Sequence, residues 1–382
     1  MPSSDLAATV AALEPDIAGL RRLLHRNPEP ANQEHRTTEI IAEALDAAGL
    51  KPRMREAGTG LWVDIGEPRV GFRADIDALP IAEPEGNNPR SENPGWMHAC
   101  GHDAHSSIGV GIAIGLSRLE PEGGFRVFFQ PAEEAITGGA IDLIAEGMVD
   151  ELESLFAFHV DPTLEAGRIG VKHGPVTASA DGFTIVLEGP GGHTSRPHRT
   201  ADLVTAAARV VNDLPAIIRS TYDARRPVVA AFGAIHGGEA PNVIPTRVEL
   251  KGTIRSLDRE IREALPDLVE SAVGRIASAF GATHRVDYRQ GVPPVVNDAR
   301  VADAFSVATR SALGDAAIAP TETSMVGEDF AYYLDLVPGA MFRLGSHSGG
   351  GDIHSAGFLL DDRCIPVGIT AGIAAMLALI GG

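Results

Sequence analysis

FRVFFQPAEEAITGG, residues 125–139, is the stretch whose reading decides the fold. Phe125 to Gln130 is a short, nearly continuous apolar run. Such a run is what a strand buried on both faces requires. It stops at Gln130-Pro131 and at once delivers two carboxylates, Glu133 and Glu134. In open α/β sheets, ligands bind beyond the carboxyl ends of the strands. Adjacent carboxylates repel, so placing them there costs energy unless positive charge lies close. One can then ligate a metal while the other activates a water. Equally, the pair can complement the positive end of a helix.

Similar runs lie on either side. GLWVDIG (60–66), VGFRADI (70–76) and LFAFHV (155–160) read as further strands. They alternate with helical stretches, about 104–119 and 141–146, so the sheet is covered by helices on both faces. Upstream, Leu6, Val10, Leu13, Ile17, Leu20 and Leu24 recur at helical spacing. The turn HRNPEP (25–30) breaks that helix. A second helix starts near Thr37 and stops at Gly49.

Near residue 178 the pattern changes. ADGFTIVLEG (180–189) alternates apolar and polar residues, as a half-buried strand does. A helix (about 201–218), two strands (228–238 and 246–256), a second helix (about 258–280) and a last strand (284–290) follow. That β-α-β-β-α-β order predicts a ferredoxin-like α+β unit. The expected architecture is a catalytic domain, 1–178 and 292–382, with a mixed, mostly parallel sheet, interrupted by a smaller domain at 179–291.

The composition fits this reading. The 382 residues are 44% hydrophobic and 22% charged, with a formal net charge of −19. A charge of that sign does not attract nucleic acid or anionic lipid, which excludes both as general partners. At 5% aromatic residues, base-stacking platforms are not expected. Two cysteines, Cys100 and Cys364, make no disulfide framework. The N-terminal MPSSDLAATVAALEPD lacks a basic segment followed by an apolar core, so a cytoplasmic protein is expected. The uncharged stretch from Cys364 to Gly382 contains Pro366, Thr370 and four glycines. It reads as a buried helix, with Cys364 an inert core thiol.

Three more clusters carry ligand chemistry. MHACGHDAH (97–105) packs Cys100, His102, Asp103 and two further histidines into a loop that leads into a helix. Cys and His at i and i+2 can reach one metal or two adjacent ones, and thiolate with imidazole suits zinc and similar ions. The same loop is also read as polar with a chance cysteine. His159 ends the LFAFHV run, where a histidine is more often a satisfied rim residue. His354 lies in the glycine-rich GGGDIHSAGF (349–358). Together, Cys, His, Glu and His at four separate strand-to-loop junctions, with a spare Glu, make a two-metal hydrolase set.

These residues resemble the M20 family of metallopeptidases and amidohydrolases, and most of all its hippurate hydrolase, N-acyl-amino-acid amidohydrolase and auxin-conjugate hydrolase branch. The resemblance rests on HRNPE (25–29), GFRADIDALPI (71–81), MHACGHDAH, FFQPAEE (128–134), FHVDP (158–162), GPGGHTSRPH (189–198), APNVIP (240–245), GTIRS (252–256) and GEDFAYY (327–333). It implies two divalent metal ions per subunit (zinc or manganese, with cobalt or nickel possible) held by Cys100, His102, Glu134, His159 and His354. Arg73-Ala74-Asp75 stands where the family more generally has HxD, so His102 would supply the missing ligand. Glu133 would be the general base that takes a proton from a metal-activated water and returns it to the leaving amine. Asp75 and Asp77 would orient ligands, and so would Asp329, while Asp103 would instead cap the helix expected to begin near Ala104.

The inserted domain would act as lid and dimerisation domain, giving a homodimer. His193 would stabilise the oxyanion, in its own subunit or across the dimer. Asn242 would touch the scissile group, and Arg255 would clamp a substrate carboxylate. The expected reaction is cleavage of N-acyl amino acids. A dipeptidase or carboxypeptidase and an N-acetyl-diaminopimelate deacetylase share the same core. Outside that class stand a metal-independent cysteine hydrolase, using Cys100 with His102 or His105, and a non-catalytic binding protein. The NNPRSENPG segment (87–95) is expected to shape the entrance.

Overall fold

The computed structural model describes residues 3–135 and 138–381, which divide into two compact units. The first comprises residues up to 174, 296–322 and 329 onward; the second comprises 175–295 and 323–328. The short segment 323–328 was expected in the catalytic domain. It groups with the insertion because Ser324 N donates to Val176 O (2.9 Å) and the Arg255 guanidinium to Met325 O (2.8 Å).

The first unit is built on an eight-stranded sheet. From one edge its strands are Arg53–Met54, Leu61–Ile65, Phe125–Gln130, Val70–Asp75, Ser154–Glu165, Gly339–His347, Ile169–Val171 and Ile318–Pro320. The four central strands run parallel, and antiparallel pairs join towards the edges. The alternation of side chains along each strand sorts the two faces. Phe72, Ala74, Val127, Phe129, Phe156, Phe158 and Phe342 join one core with the helices Ser3–Arg26, His35–Ala47, His102–Leu119, Ala299–Leu313 and Cys364–Ile380. On the other face, Phe128 meets Tyr333 edge-on at 5.5 Å, under a 3-10 segment at Asp329–Asp335.

Two expectations shift by a few residues. Ser154–Glu165 does not end at His159. Its fully buried part stops at Val160, and the strand runs on half-exposed. The helix expected from Ala104 starts at His102.

That helix is held by reciprocal close packing. Side chains at Gly111 and Gly115 would collide with Ile369 and Ile373, and side chains at Gly368 and Gly372 with Ile108 and Ile112. Each glycine pair on one helix receives an isoleucine pair from the other. The Cys364–Ile380 helix is therefore a core element, as its composition predicts. Among the described residues, no helix is long and apolar enough to cross a membrane.

The second unit has a four-stranded antiparallel sheet, ordered Val228–His236, Arg247–Ser256, Ala180–Glu188, Thr283–Val292. Phe183, Ile185 and Leu187 alternate onto one face and share a core with the helices Leu203–Thr221 and Arg259–Ala279. Asp202 and Asp258 cap those helices by accepting from Thr205 N and Ile261 N. This is the ferredoxin-like arrangement that the element order predicts.

Candidate metal centre

Four separated segments of the first unit bring their polar side chains together. The N-terminus of the His102–Leu119 helix supplies Cys100 and His102. The turn after Phe125–Gln130 supplies Glu133 and Glu134, the strand Ser154–Glu165 supplies His159, and the loop before the last helix supplies His354. Ligand atoms of Cys100, His102 and Glu134 all lie within 4.8 Å of one another. Cys100 Sγ is 3.4 Å from His159 Nε2, and His354 Nε2 is 3.0 Å from Glu134 Oε1. The five side chains expected to act together are thus juxtaposed.

Hydrogen bonds set which nitrogen each histidine presents. His102 Nδ1 donates to Asp77 O (2.9 Å), with Asp77 Oδ1 at 3.2 Å. His159 Nδ1 donates to Val160 O (2.8 Å). Both rings therefore turn the Nε2 lone pair inward. Among the described residues, His102 Nε2 is buried with no hydrogen-bond partner. Buried polar atoms are rarely left so. Inward lone pairs on imidazole, carboxylate and thiol fit divalent cations, with Asp77 in the usual place of a carboxylate behind a ligating histidine.

The electrostatics follow from burial and close charges. Burial pushes the Cys100 thiol up, against the pull of His102 and His354. Cys100 and Glu134 raise His354 to about 10. Burial, helped by Arg343, holds His159 well below the usual range. Burial would raise Asp75, but His102, His105 and Arg73 overcome it and hold its carboxyl well below the carboxylate range.

Gly101, between two of these side chains, has φ +80°. A Cβ there would come within 2.6 Å of Val160 Cγ2. Gly101→Ala therefore adds left-handed strain to overpacking and is expected to destabilise the chain by about 2–4 kcal/mol. Denaturant titration measures this, and adding Val160→Ala should recover part of the loss.

Residues around the centre have long-range partners. Arg73 is buried and donates to Asp75 Oδ2 (2.5 Å), Asp329 Oδ1 (2.8 Å) and Gln130 Oε1 (2.9 Å). Asp329 also accepts from Gln130 and from Ala140 N, and one of its carboxylate oxygens lies within 4.8 Å of one from Glu133. Asp103 lies inside the first helical turn rather than before it. Its Oδ1 accepts from Ala104 N, while Oδ2 takes Arg21 and His25.

His105, which the motifs gave no place in the metal centre, lies close to Asp75 and His102. It lies one turn after His102 on the same helix face, and that spacing was the available signal. Its Nδ1 donates to Asp75 Oδ1 (2.6 Å), and its Nε2 accepts from Val160 N (2.9 Å).

His25 joins two buried carboxylates, with Nδ1 2.8 Å from Asp103 and Nε2 3.1 Å from Glu83. Glu83 in turn accepts from Ser91 N (2.6 Å) and Asn87 Nδ2 (2.8 Å), which ties down the 87–95 segment. Burial alone would lower the His25 pKa, but these partners raise it to about 9. A raised folded pKa contributes stability that is complete below the unfolded value near 6.5 and lost as pH rises through about 9. Wild-type stability is therefore expected to fall between pH 6.5 and 9.5, by on the order of 3 kcal/mol. Denaturant midpoints across that range should show the step, and His25→Gln should lack it.

The second unit carries His193, Asn242 and Arg255. His193 and Asn242 belong to adjoining segments: Val243 pairs with His193, and Thr194 N donates to Asn242 O (3.1 Å). Both side chains are exposed. Arg255, half-buried on Arg247–Ser256, uses one nitrogen on Met325 O.

The sequence pattern of peptidase family M20/M25/M40 matches residues 71–378. The chain is 41% identical over 94% of its length to a Rhodococcus jostii (strain RHA1) protein that carries a glutamate–cysteine ligase name, and it spans only 46% of that longer protein. It is 35% identical to the N-acetyl-L-cysteine deacetylase of Bacillus subtilis (strain 168), over 93% of this chain and 86% of that one. Among solved structures it resembles the Bacillus subtilis YXEP protein, described as a dinuclear metal-binding peptidase from the M20 family. That likeness has a TM-score of 0.87 at 31% identity and covers 97% of this chain and 99% of that one. The chain belongs to peptidase family M20/M25/M40 and is an amidohydrolase of that family.

Proposed function

We propose that this enzyme hydrolyses the amide bond of N-acyl amino acids, such as N-acetyl or N-benzoyl conjugates. In this reading Cys100, His102, Glu134, His159 and His354 hold two divalent cations, and Glu133 moves the proton. The observation that carries it is the convergence of these five donors from four distant segments, with Glu133 adjoining Glu134 in the same turn. When bound, such cations polarise an amide carbonyl and bring the pKa of water towards neutrality. Thiolate favours zinc, while the nitrogen and oxygen donors admit manganese, cobalt or nickel.

The chain's own residues do the rest. Asp77 fixes the His102 ring, and Val160 O fixes that of His159. Glu133 takes a proton from the attacking water and delivers it to the departing amine nitrogen. His193 supports the developing oxyanion, Asn242 contacts the scissile group, and the Arg255 guanidinium selects a free α-carboxylate. The deacetylase relative supports an acyl amino acid as substrate. The second unit serves as lid and as the contact of a homodimer. The exposed Val229 and Ile235 on its edge strand support the latter role. Two free thiols suit the reducing cytoplasm.

The test is a panel of N-acetyl amino acids, N-benzoyl amino acids and dipeptides, run with metal-stripped enzyme and after adding zinc, manganese or cobalt. Hydrolysis is expected only with added cation, and fastest on N-acyl amino acids with a free carboxylate. Faster dipeptide cleavage would favour a peptidase. Full activity in the stripped enzyme would sink the metal assignment and point to Cys100 as nucleophile.

A further inference from the structure

The described residues include few non-glycine residues at positive φ: Asn32 (+64°), Glu120 (+44°), Ala132 (+58°) and His354 (+59°). Asparagine tolerates this region, but alanine places its Cβ against the following carbonyl, at a cost of roughly 1–2 kcal/mol. Glycine is the ordinary residue for such a position. Here the chain has Ala132, buried, at the point where the strand Phe125–Gln130 has ended and Glu133 and Glu134 follow. Its left-handed backbone sets the direction of both carboxylates. A strained residue of this kind persists only where its surroundings hold it.

Glu34 is what holds it. This residue precedes the His35–Ala47 helix and is fully buried, yet its side chain does not cap that helix. Its Oε1 accepts from Ala132 N at 2.7 Å and from Asn32 N at 3.0 Å. One oxygen thus grips the amides of two left-handed residues, 98 positions and 2 positions away. Its own backbone is fixed in turn. Thr38 N and Thr38 Oγ1 donate to Glu34 O at 3.0 and 2.5 Å, and Thr38 Oγ1 accepts from Gly60 N at 2.9 Å. On the far side of the turn, Glu134 N donates to Asp77 Oδ2 at 2.9 Å. The turn is therefore held at both ends by carboxylates. Glu34 Oε2 accepts no hydrogen bond among the described residues, so a buried carboxyl is retained here for what its other oxygen does.

We propose that Glu34 is a positioning residue that locks Ala132 in the left-handed turn and so aims Glu133 and Glu134 at the metal centre. This rests on reading Glu133 as the base and Glu134 as a ligand. Burial raises the Glu34 pKa to about 7. Its Oε1 can accept from Ala132 whether the carboxyl is charged or neutral, so the lock does not depend on ionisation.

The experiment compares Glu34→Ala, Glu34→Gln, Ala132→Gly and the double variant Glu34→Ala/Ala132→Gly, with Glu133→Gln as reference. It reads kcat, KM, metal retained after dialysis against a fixed free-metal concentration, and the φ of residue 132 in crystal structures. Small displacements of reacting groups cost up to about 100-fold in rate. Glu34→Ala is expected to lower kcat at least about tenfold and to reduce retained metal, with KM changed less than about threefold. Glu34→Gln keeps an accepting oxygen and should stay within about threefold of wild type. Glycine takes the left-handed conformation without the steric cost, so the double variant should recover much of the kcat that Glu34→Ala loses.

Three results would overturn the proposal: Glu34→Ala losing stability alone while kcat and metal retention stay, Glu34→Gln falling as far as Glu34→Ala, or glycine at 132 restoring nothing. Should Glu34→Ala fail to fold, the Glu34→Gln and double-variant arms still decide. Near-normal turnover in Glu133→Gln would instead refute the assigned base, while the φ of residue 132 and the metal retention would still report on the lock.

Discussion

Glu133→Gln is expected to lower kcat by about 10²–10⁴-fold, the usual worth of a positioned proton-transfer group, with metal content unchanged. Glutamine keeps the size and shape of the side chain but cannot take up a proton. None of the five donors assigned to the cations is altered. The turn itself is held from elsewhere, by Glu34 on Ala132 N and by Asp77 on Glu134 N, so the substitution should not move Glu134. The two readouts separate the roles of neighbouring carboxylates: position 133 should change turnover without metal, whereas Glu134→Gln should change both. Steady-state kinetics on an N-acyl amino acid, with elemental analysis of the same preparation, measure this. A loss of less than about tenfold at position 133 would show that another group carries the proton.

The second large effect is on stability. Arg73→Leu is expected to destabilise the first unit by about 3–5 kcal/mol, the cost of breaking a buried ion pair from one side. Arg73 is buried beside Asp75 and Asp329, and it also donates to Gln130. Leucine would fill much of the volume but take away the cation that two buried carboxylates share. Arg73→Lys should fall between, since an ammonium cannot reproduce a planar fork that serves several acceptors at once.

The pH dependence gives a sharper check. In wild type the depressed Asp75 pKa contributes stability that is present above its unfolded value near 4 and lost as pH falls. In Arg73→Leu that contribution is reduced. The deficit against wild type should therefore be largest near neutrality and shrink below about pH 4, where the carboxyls can protonate. Urea titrations at several pH values measure this. A deficit under about 1 kcal/mol at pH 7 would mean that Asp75 and Asp329 are neutralised by other partners.

Much of this architecture was legible because its signals are local. The spacing of Leu6, Val10, Leu13, Ile17, Leu20 and Leu24 marks one helix face, and all six are buried. The apolar run at 125–130 is a central strand, and the order of elements in 180–292 is the order of a ferredoxin-like sheet. Part of the candidate site was legible for a related reason. Cys100 and His102 lie two positions apart and Glu133 and Glu134 are neighbours, so one turn carries each pair to the same end of the sheet. Boundaries were less so. His102 opens its helix earlier than expected and leaves Asp103 inside the first turn, because Gly101, which carries no capping side chain, provides the start.

The partners behind the donors were not legible. Arg73 reaches Asp329 across 256 positions, and Glu34 reaches Ala132 across 98. His105 occupies both of its nitrogens on residues from two different strands. None of these pairs leaves a period or a spacing in the chain. The sequence alone determined which segments become strands and helices, and which side chains can bind a cation, since periodicity and residue chemistry are properties of short stretches. Only the tertiary structure decided which nitrogen each histidine turns inward, which carboxylate Arg73 neutralises and why an alanine can hold a left-handed turn. Each of these depends on a hydrogen bond between distant segments, and its geometry exists only once the sheet has brought them together.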